Sequence, residues 1–134
     1  MNMREKMTAI ELLEKLVSFK TVSRDSNLDL INFVEEYLNS FGIHSHKVYD
    51  STGEKAAIYA NIGPKSLGGI ILSGHSDVVP VDGQDWNTDP FKLVKKDELY
   101  YGRGASDMKG FLACALAAVP DMIKANLAKP IQIA

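Results

Sequence analysis

The chain contains one cysteine, Cys114, among its 134 residues. A single cysteine cannot close a disulfide within the chain, so the cysteine usage gives no indication of an oxidising compartment. Cys114 lies in an apolar, helix-like segment with no evident cation to lower the pKa of its thiol. We therefore expect a small buried side chain rather than a nucleophile.

Long apolar runs are also missing. The longest, residues 111–119, is far shorter than the roughly 20 residues that a helix needs to cross a bilayer. Near the start of the chain, Glu11, Glu14 and Lys15 interrupt the apolar positions that a signal peptide keeps uncharged. The sequence predicts a cytoplasmic protein without a membrane partner.

Neither sign of charge dominates the chain. The 15 basic and 17 acidic residues give a formal net charge of -2, and they form no basic stripe of the kind that binds a phosphate backbone. Nucleic acid is therefore not an expected partner. The composition, 46% apolar and 24% charged, is typical of one globular domain with a sizeable core.

The first sixty residues predict two amphipathic helices followed by two strands. Thr8 and Glu11 have the spacing of a capping box at the start of the first helix. A second helix is predicted from near Ser26 to Gly42, which suits a left-handed C-terminal position. Alternating residues from Ile43 onward and the segment 57–62 predict two strands that pair with each other.

The rest of the chain predicts an α/β fold. Residues 69–73 form a short unbroken apolar run, which is typical of a strand covered on both faces of a sheet. Further predicted elements are a small hairpin around residues 91–94 and 98–100, a helix from about 108 to 119 and a strand from 130. Pro120 either kinks that helix or opens a second segment.

Residues with metal-binding side chains lie in two of the predicted loops. His75 and Asp77 follow the apolar strand, and in an extended chain their side chains point the same way, so that one can bind a metal while the other supports it. Asp107 follows a glycine-rich turn at the start of a helix, where a carboxylate can bridge two metal ions. Ligand groups of α/β folds lie in loops of this kind.

Each of these residues also has a plainer interpretation. Asp77 can cap a surface turn, and Asp107 can cap the helix N-terminus, a role that is compatible with metal binding. Lys109 and Arg103 can contact the turn or a substrate, with solvated surface positions as the default expectation.

Three segments together resemble the M20 family of metallopeptidases and deacylases. They are Ser-Gly-His-Ser-Asp-Val-Val-Pro at 73–80, Trp86 with Asp-Pro-Phe at 89–91, and Tyr-Gly-Arg-Gly-Ala-Ser-Asp-Met-Lys-Gly at 101–110. Their combined order and spacing are more specific than any one motif. Within the family, the stretches 81–86 and 107–113 resemble the acetylornithine deacetylases.

The resemblance implies the N-terminal part of a zinc-peptidase-like catalytic domain, an α/β fold with a central mixed sheet flanked by helices. His75 and Asp107 are then the metal ligands, with Asp107 bridging two divalent ions, zinc or cobalt. Asp77 is implied as the catalytic residue that orients His75. The peptide bond between Asp107 and Met108 is expected to be cis.

The resemblance also implies a reaction, the hydrolysis of N-acetyl-L-ornithine to ornithine and acetate in arginine biosynthesis. A succinyl-diaminopimelate desuccinylase, a dipeptidase-type relative and a non-enzymatic remnant or interaction module remain alternatives. The family's general-base Glu, its further metal ligands and its dimerisation domain are expected downstream of residue 134. We therefore expect a truncated catalytic domain over residues 1–134, inactive alone unless a downstream polypeptide completes it.

Overall fold

The computed structural model describes residues 6–134 as three helices, two sheets and their connections. The helices are Ala9–Ser18 (α1), Leu28–Asn39 (α2) and Gly110–Lys124 (α3). The strands are Ser45–Tyr49 (β1), Ala56–Ile62 (β2), Ile70–Leu72 (β3), Val94–Lys96 (β4), Leu99–Tyr101 (β5) and Ile131–Ile133 (β6). None of the helices in residues 6–134 combines the length and the apolar character needed to cross a membrane.

The larger sheet has four strands in the order β1, β2, β6, β3. β2 pairs antiparallel with β1 and with β6, whereas β3 and β6 run parallel. β4 and β5 form a separate antiparallel hairpin. The predicted pairing of the first two strands, the hairpin and the final strand are all confirmed, and the sheet is mixed.

Local chemistry decides where the first two helices begin. At α1 the predicted capping box is present: the Thr8 backbone N–H donates to Glu11 Oε2 at 2.7 Å, and the Glu11 N–H donates to Thr8 Oγ1 at 3.2 Å. α2 begins two residues later than predicted, at Leu28. The reason is that Asn27 pairs with the backbone of Ala56 instead, accepting from its N–H at 3.0 Å and donating to its carbonyl at 2.9 Å.

The core lies between the three helices and one face of the larger sheet. Ala56, Ala60 and Ile62 of β2 are buried against the helices, whereas Ala57 and Tyr59 between them are exposed. A strand that is half buried in this way shows an alternating pattern. Among the described residues, the helices therefore cover one face of the sheet.

The prediction that β3 is covered on both faces is wrong. Ile70 and Ile71 are 63% and 59% exposed, because β3 lies at the edge of the sheet and, within residues 6–134, pairs only with β6. A short apolar run does not show by itself which strands neighbour it.

α3 also differs from its prediction in two respects. It begins at Gly110 rather than Met108, because Asp107 and Met108 have non-helical backbone angles. It continues through Pro120 to Lys124 as one helix. Cys114 is exposed on α3, so the predicted buried thiol is wrong; it lies away from the side on which Ala113 and Leu116 meet the core.

Candidate metal centre

The loop after β3 and the turn at residues 105–109 bring two donor side chains together. His75 Nε2 lies 3.0 Å from Asp107 Oδ1, although the two residues are 32 positions apart in the chain. The side chains of His75 and Asp107 are 49% and 87% exposed, so both reach solvent. The sequence placed these residues in separate loops, and the structure brings them into direct contact.

Asp77 holds the other nitrogen of the His75 ring. His75 Nδ1 lies 3.0 Å from the Asp77 backbone carbonyl oxygen and 3.2 Å from Asp77 Oδ1. Since a carbonyl oxygen only accepts, Nδ1 carries a proton and donates it. With that proton on Nδ1, Nε2 is the nitrogen that a metal would use in the neutral ring. Without a metal, Nε2 can donate to Asp107 Oδ1, 3.0 Å away, only when the ring is protonated.

The charge of the two carboxylates acts on the His75 ring. Partial burial of the ring is the largest single influence and lowers the pKa of His75. The hydrogen bonds to Asp77 and Asp107 and their negative charges together outweigh it, so that the pKa of His75 lies above its usual value. Without a metal, the two carboxylates thus favour the protonated, positively charged form of the ring.

The backbone at Asp107 is extended rather than helical. Its φ and ψ are -124° and 97°, and the peptide bond between Asp107 and Met108 is cis, as predicted. α3 begins only after this bond, with Lys109 at its N-cap position and no side-chain cap. Asp107 therefore does not cap α3, and its carboxylate faces His75 instead.

Two glycines let the loops pack directly on each other. A Cβ at Gly104, where φ is +80°, would lie 2.4 Å from Val78 Cγ1. A Cβ at Gly74 would lie 2.6 Å from Leu112 Cδ2, at the start of α3. Real side chains do not approach so closely. At Gly104 the positive φ also favours glycine, whereas a Cβ at Gly74 would require the end of the Leu112 side chain to shift.

Lys109 is completely buried, so its predicted solvated position is wrong. Its ammonium donates to the carbonyl oxygens of Leu16 and Phe19, both at 2.8 Å. Burial lowers the pKa of Lys109 from 10.5 to about 8. The Leu16 carbonyl also accepts from the Phe19 N–H at 3.3 Å, and the Phe19 carbonyl from the Thr21 N–H at 2.9 Å. The buried lysine therefore adds a second donor to each of these carbonyls at the end of α1. The position of this lysine between a glycine-rich turn and an apolar helix was the sequence feature that could have indicated its burial.

Arg103 is half-buried rather than solvated. Its guanidinium carbon lies 5.2 Å from the centre of the Trp86 ring, and one guanidinium nitrogen donates to Gln84 Oε1. The Trp86 indole N–H donates to the same oxygen at 3.1 Å. These contacts brace the long connection that leads from the His75 loop to β4.

The donor atoms of His75 and Asp107 are of the kinds that bind divalent cations. An imidazole nitrogen and a carboxylate oxygen are ligands of zinc, and they border an open cavity of about 240 Å³ that Arg103 and Ser106 also line. Within residues 6–134, no group of three or more His, Cys, Asp or Glu side chains is arranged to hold a metal ion. The described residues therefore supply a two-donor pair supported by Asp77.

Comparisons with known proteins agree with these features. A model of peptidase family M20/M25/M40 matches residues 71–134. The chain is 34% identical over 131 residues to an acetylornithine deacetylase of Pasteurella multocida (strain Pm70). It is 37% identical over 131 residues to one of Pectobacterium carotovorum subsp. carotovorum (strain PC1). Each alignment covers 92% of this chain and 34% of the relative, so the chain spans about a third of the length of the curated relatives it matches.

The fold is similar to that of a solved M20 family metallo-carboxypeptidase from Sulfolobus solfataricus. The TM-score is 0.79 with 24% sequence identity, over 93% of this chain and 29% of that one. This likeness confirms the predicted α/β fold class.

Proposed function

We propose that this chain belongs to peptidase family M20/M25/M40, whose model matches residues 71–134, and that it supplies part of the metal centre of a metal-dependent amidohydrolase. The observation that carries the proposal is the convergence of His75 Nε2 and Asp107 Oδ1 at 3.0 Å. Both lie within the matched segment. We propose them as metal ligands, with zinc or cobalt as the ions.

Each residue has a distinct task in this proposal. His75 binds through Nε2, while Asp77 holds the Nδ1 proton and fixes the ring. Asp107 presents a carboxylate whose two oxygens can serve two ions. Divalent ions in such a centre activate a water and polarise the amide carbonyl. A catalytic zinc takes three protein ligands and a water, so the proposal needs at least one further ligand and a general base besides these residues.

Metal titration of the full chain tests the ligand pair. In calorimetry with Co²⁺ and Zn²⁺, we expect His75→Ala and Asp107→Ala each to lower the affinity by about 100-fold or more. Loss of a supporting group costs about 10–100-fold. We expect Asp77→Asn at the low end of that range, because the Asp77 backbone carbonyl still holds Nδ1. His44→Ala is the matched control, since His44 is exposed beside β1, and it should bind like the parent chain. Equal affinities in all five proteins would contradict the proposal.

We further propose N-acetyl-L-ornithine as the substrate, hydrolysed to ornithine and acetate as a step of arginine biosynthesis. The support is the 34% and 37% identity to two acetylornithine deacetylases over 92% of the chain. In those relatives, the parts outside the matched third would supply the further ligand and base that the proposal needs.

A chimera tests this substrate. The chain replaces the matching third of the Pasteurella multocida acetylornithine deacetylase, and released acetate is measured with N-acetyl-L-ornithine. We expect turnover that falls by at least about 10³-fold with His75→Ala, since removal of an essential catalytic group has effects of that size, and that persists with His44→Ala. N-succinyl-diaminopimelate and a dipeptide are tested in parallel. A folded, metal-loaded chimera that hydrolyses either of these in preference to N-acetyl-L-ornithine would refute the substrate but not the metal centre.

A further inference from the structure

The segment that follows α1 contacts both of the loops that carry the ligand pair. We propose that residues 19–23, which we call the bridge segment, fix the position of His75 relative to Asp107, and that Thr21 is the positioning residue. The inference rests on the proposed function in so far as that pair binds metal. Neither Thr21 nor the bridge segment belongs to the ligand set described above.

The bridge segment is hydrogen-bonded to the His75 loop. Thr21 is 3% exposed, and its hydroxyl donates to the carbonyl oxygen of Ser76 at 2.6 Å. Ser76 is the residue between His75 and Asp77. Beyond the loop, the Val78 N–H donates to the Thr21 carbonyl at 2.9 Å, so the same residue anchors the loop at two points.

The bridge segment also reaches the Asp107 turn. The carbonyl oxygen of Phe19 accepts from the buried ammonium of Lys109 at 2.8 Å, and Lys109 lies two residues after Asp107. The same carbonyl accepts from the Thr21 backbone N–H at 2.9 Å. One peptide oxygen therefore links the lysine of the Asp107 turn to the residue that holds the His75 loop.

These contacts define what the Thr21 hydroxyl does. The Ser76 carbonyl belongs to the peptide that leads into Asp77, whose own carbonyl oxygen lies 3.0 Å from His75 Nδ1. Without the hydroxyl, the Ser76 carbonyl loses its buried donor and the peptide is free to rotate toward solvent. The Asp77 carbonyl then moves, and the ring of His75 loses the group that fixes its orientation.

Thr21→Val removes the hydroxyl and keeps the buried volume, Thr21→Ser keeps the hydroxyl, and Ser18→Ala is the matched control. Ser18 is exposed, and its hydroxyl donates to Lys15 O at 2.6 Å at the same end of α1. The ring ¹⁵N signals of His75 are recorded in metal-free protein, and Co²⁺ affinity is measured by calorimetry. We expect Thr21→Val to shift the ring signals and to lower the affinity by about 10-fold. Thr21→Ser and Ser18→Ala should match the parent chain in both readouts.

The two readouts separate this inference from the proposed function. If the parent chain binds no Co²⁺ but Thr21→Val still shifts the His75 ring signals, the metal centre is refuted and the positioning stands. If Thr21→Val unfolds more easily yet leaves both the ring signals and the Co²⁺ affinity unchanged, Thr21 is only structural and the inference is overturned. Should Thr21→Val not fold, Lys109→Met tests the other anchor, with the same two readouts and the same criteria.

Discussion

Gly104→Ala should lower the free energy of unfolding by about 2–5 kcal/mol. Two separate costs add at this position. An alanine at the observed φ of +80° costs about 1–2 kcal/mol, and forcing an atom into a packed contact costs about 1–3 kcal/mol. The new Cβ would lie 2.4 Å from Val78 Cγ1. Urea denaturation of the parent and variant chains measures the loss.

Gly83→Ala is the matched control for this effect. Gly83 has a φ of +72°, but a Cβ there would have nothing within 4 Å. The loss of stability in Gly83→Ala should therefore be limited to the backbone cost of about 1–2 kcal/mol. Adding Val78→Ala to Gly104→Ala should restore part of the lost stability, since the effects of substitutions at residues in contact are not additive. Equal losses at Gly83 and Gly104 would show that the two loops can move apart freely.

Lys109→Ala is expected to destabilise the chain by about 3–5 kcal/mol. The side chain is fully buried, and removing a buried long side chain leaves a cavity that costs about 2–5 kcal/mol. The carbonyl oxygens of Leu16 and Phe19 keep the backbone N–H groups of Phe19 and Thr21 as donors but lose the ammonium. These hydrogen bonds to a charged group contribute about 1–3 kcal/mol, offset in part because no ammonium has to be buried. Urea denaturation without metal gives the value.

Two further lysine variants separate these contributions. Lys109→Met keeps most of the buried volume and should cost only about 1–3 kcal/mol for the lost hydrogen bonds. Lys129→Ala is the surface control, since Lys129 also donates to a backbone carbonyl, that of Leu67 at 3.3 Å, but in an exposed position. It should change stability by less than about 0.5 kcal/mol. If Lys109→Met were as stable as the parent, burying the ammonium would cost as much as its hydrogen bonds contribute.

The sequence could single out His75 and Asp107 as candidate ligands because that signal is local. A histidine after an apolar strand and an aspartate after a glycine-rich turn can be recognised without knowing what packs around them, and the cis bond after Asp107 came with the resemblance. The capping box of Thr8 and Glu11 is equally local. Each of these features depends on neighbours a few positions away in the chain.

The features that the sequence did not predict depend on distant partners. Lys109 looked like a surface residue because its acceptors, at Leu16 and Phe19, lie 93 and 90 positions earlier in the chain. The role of Thr21 depends on Ser76, 55 positions later. β3 looked like a central strand because a run of apolar residues does not show on which side a neighbour is present.

Because the hydrogen bonds of Lys109 join segments far apart in the chain, secondary structure alone does not show whether a sample of this protein is correctly folded at the candidate site. Contacts between chain segments 90 and 93 positions apart are made against a large loss of chain entropy, and they are lost together when packed elements separate. If α1 detaches, α3 and the strand pairs keep their own backbone hydrogen bonds, whereas Lys109 loses its acceptors. A circular dichroism spectrum with nearly native helix and strand content is therefore compatible with a chain in which His75 and Asp107 no longer face each other.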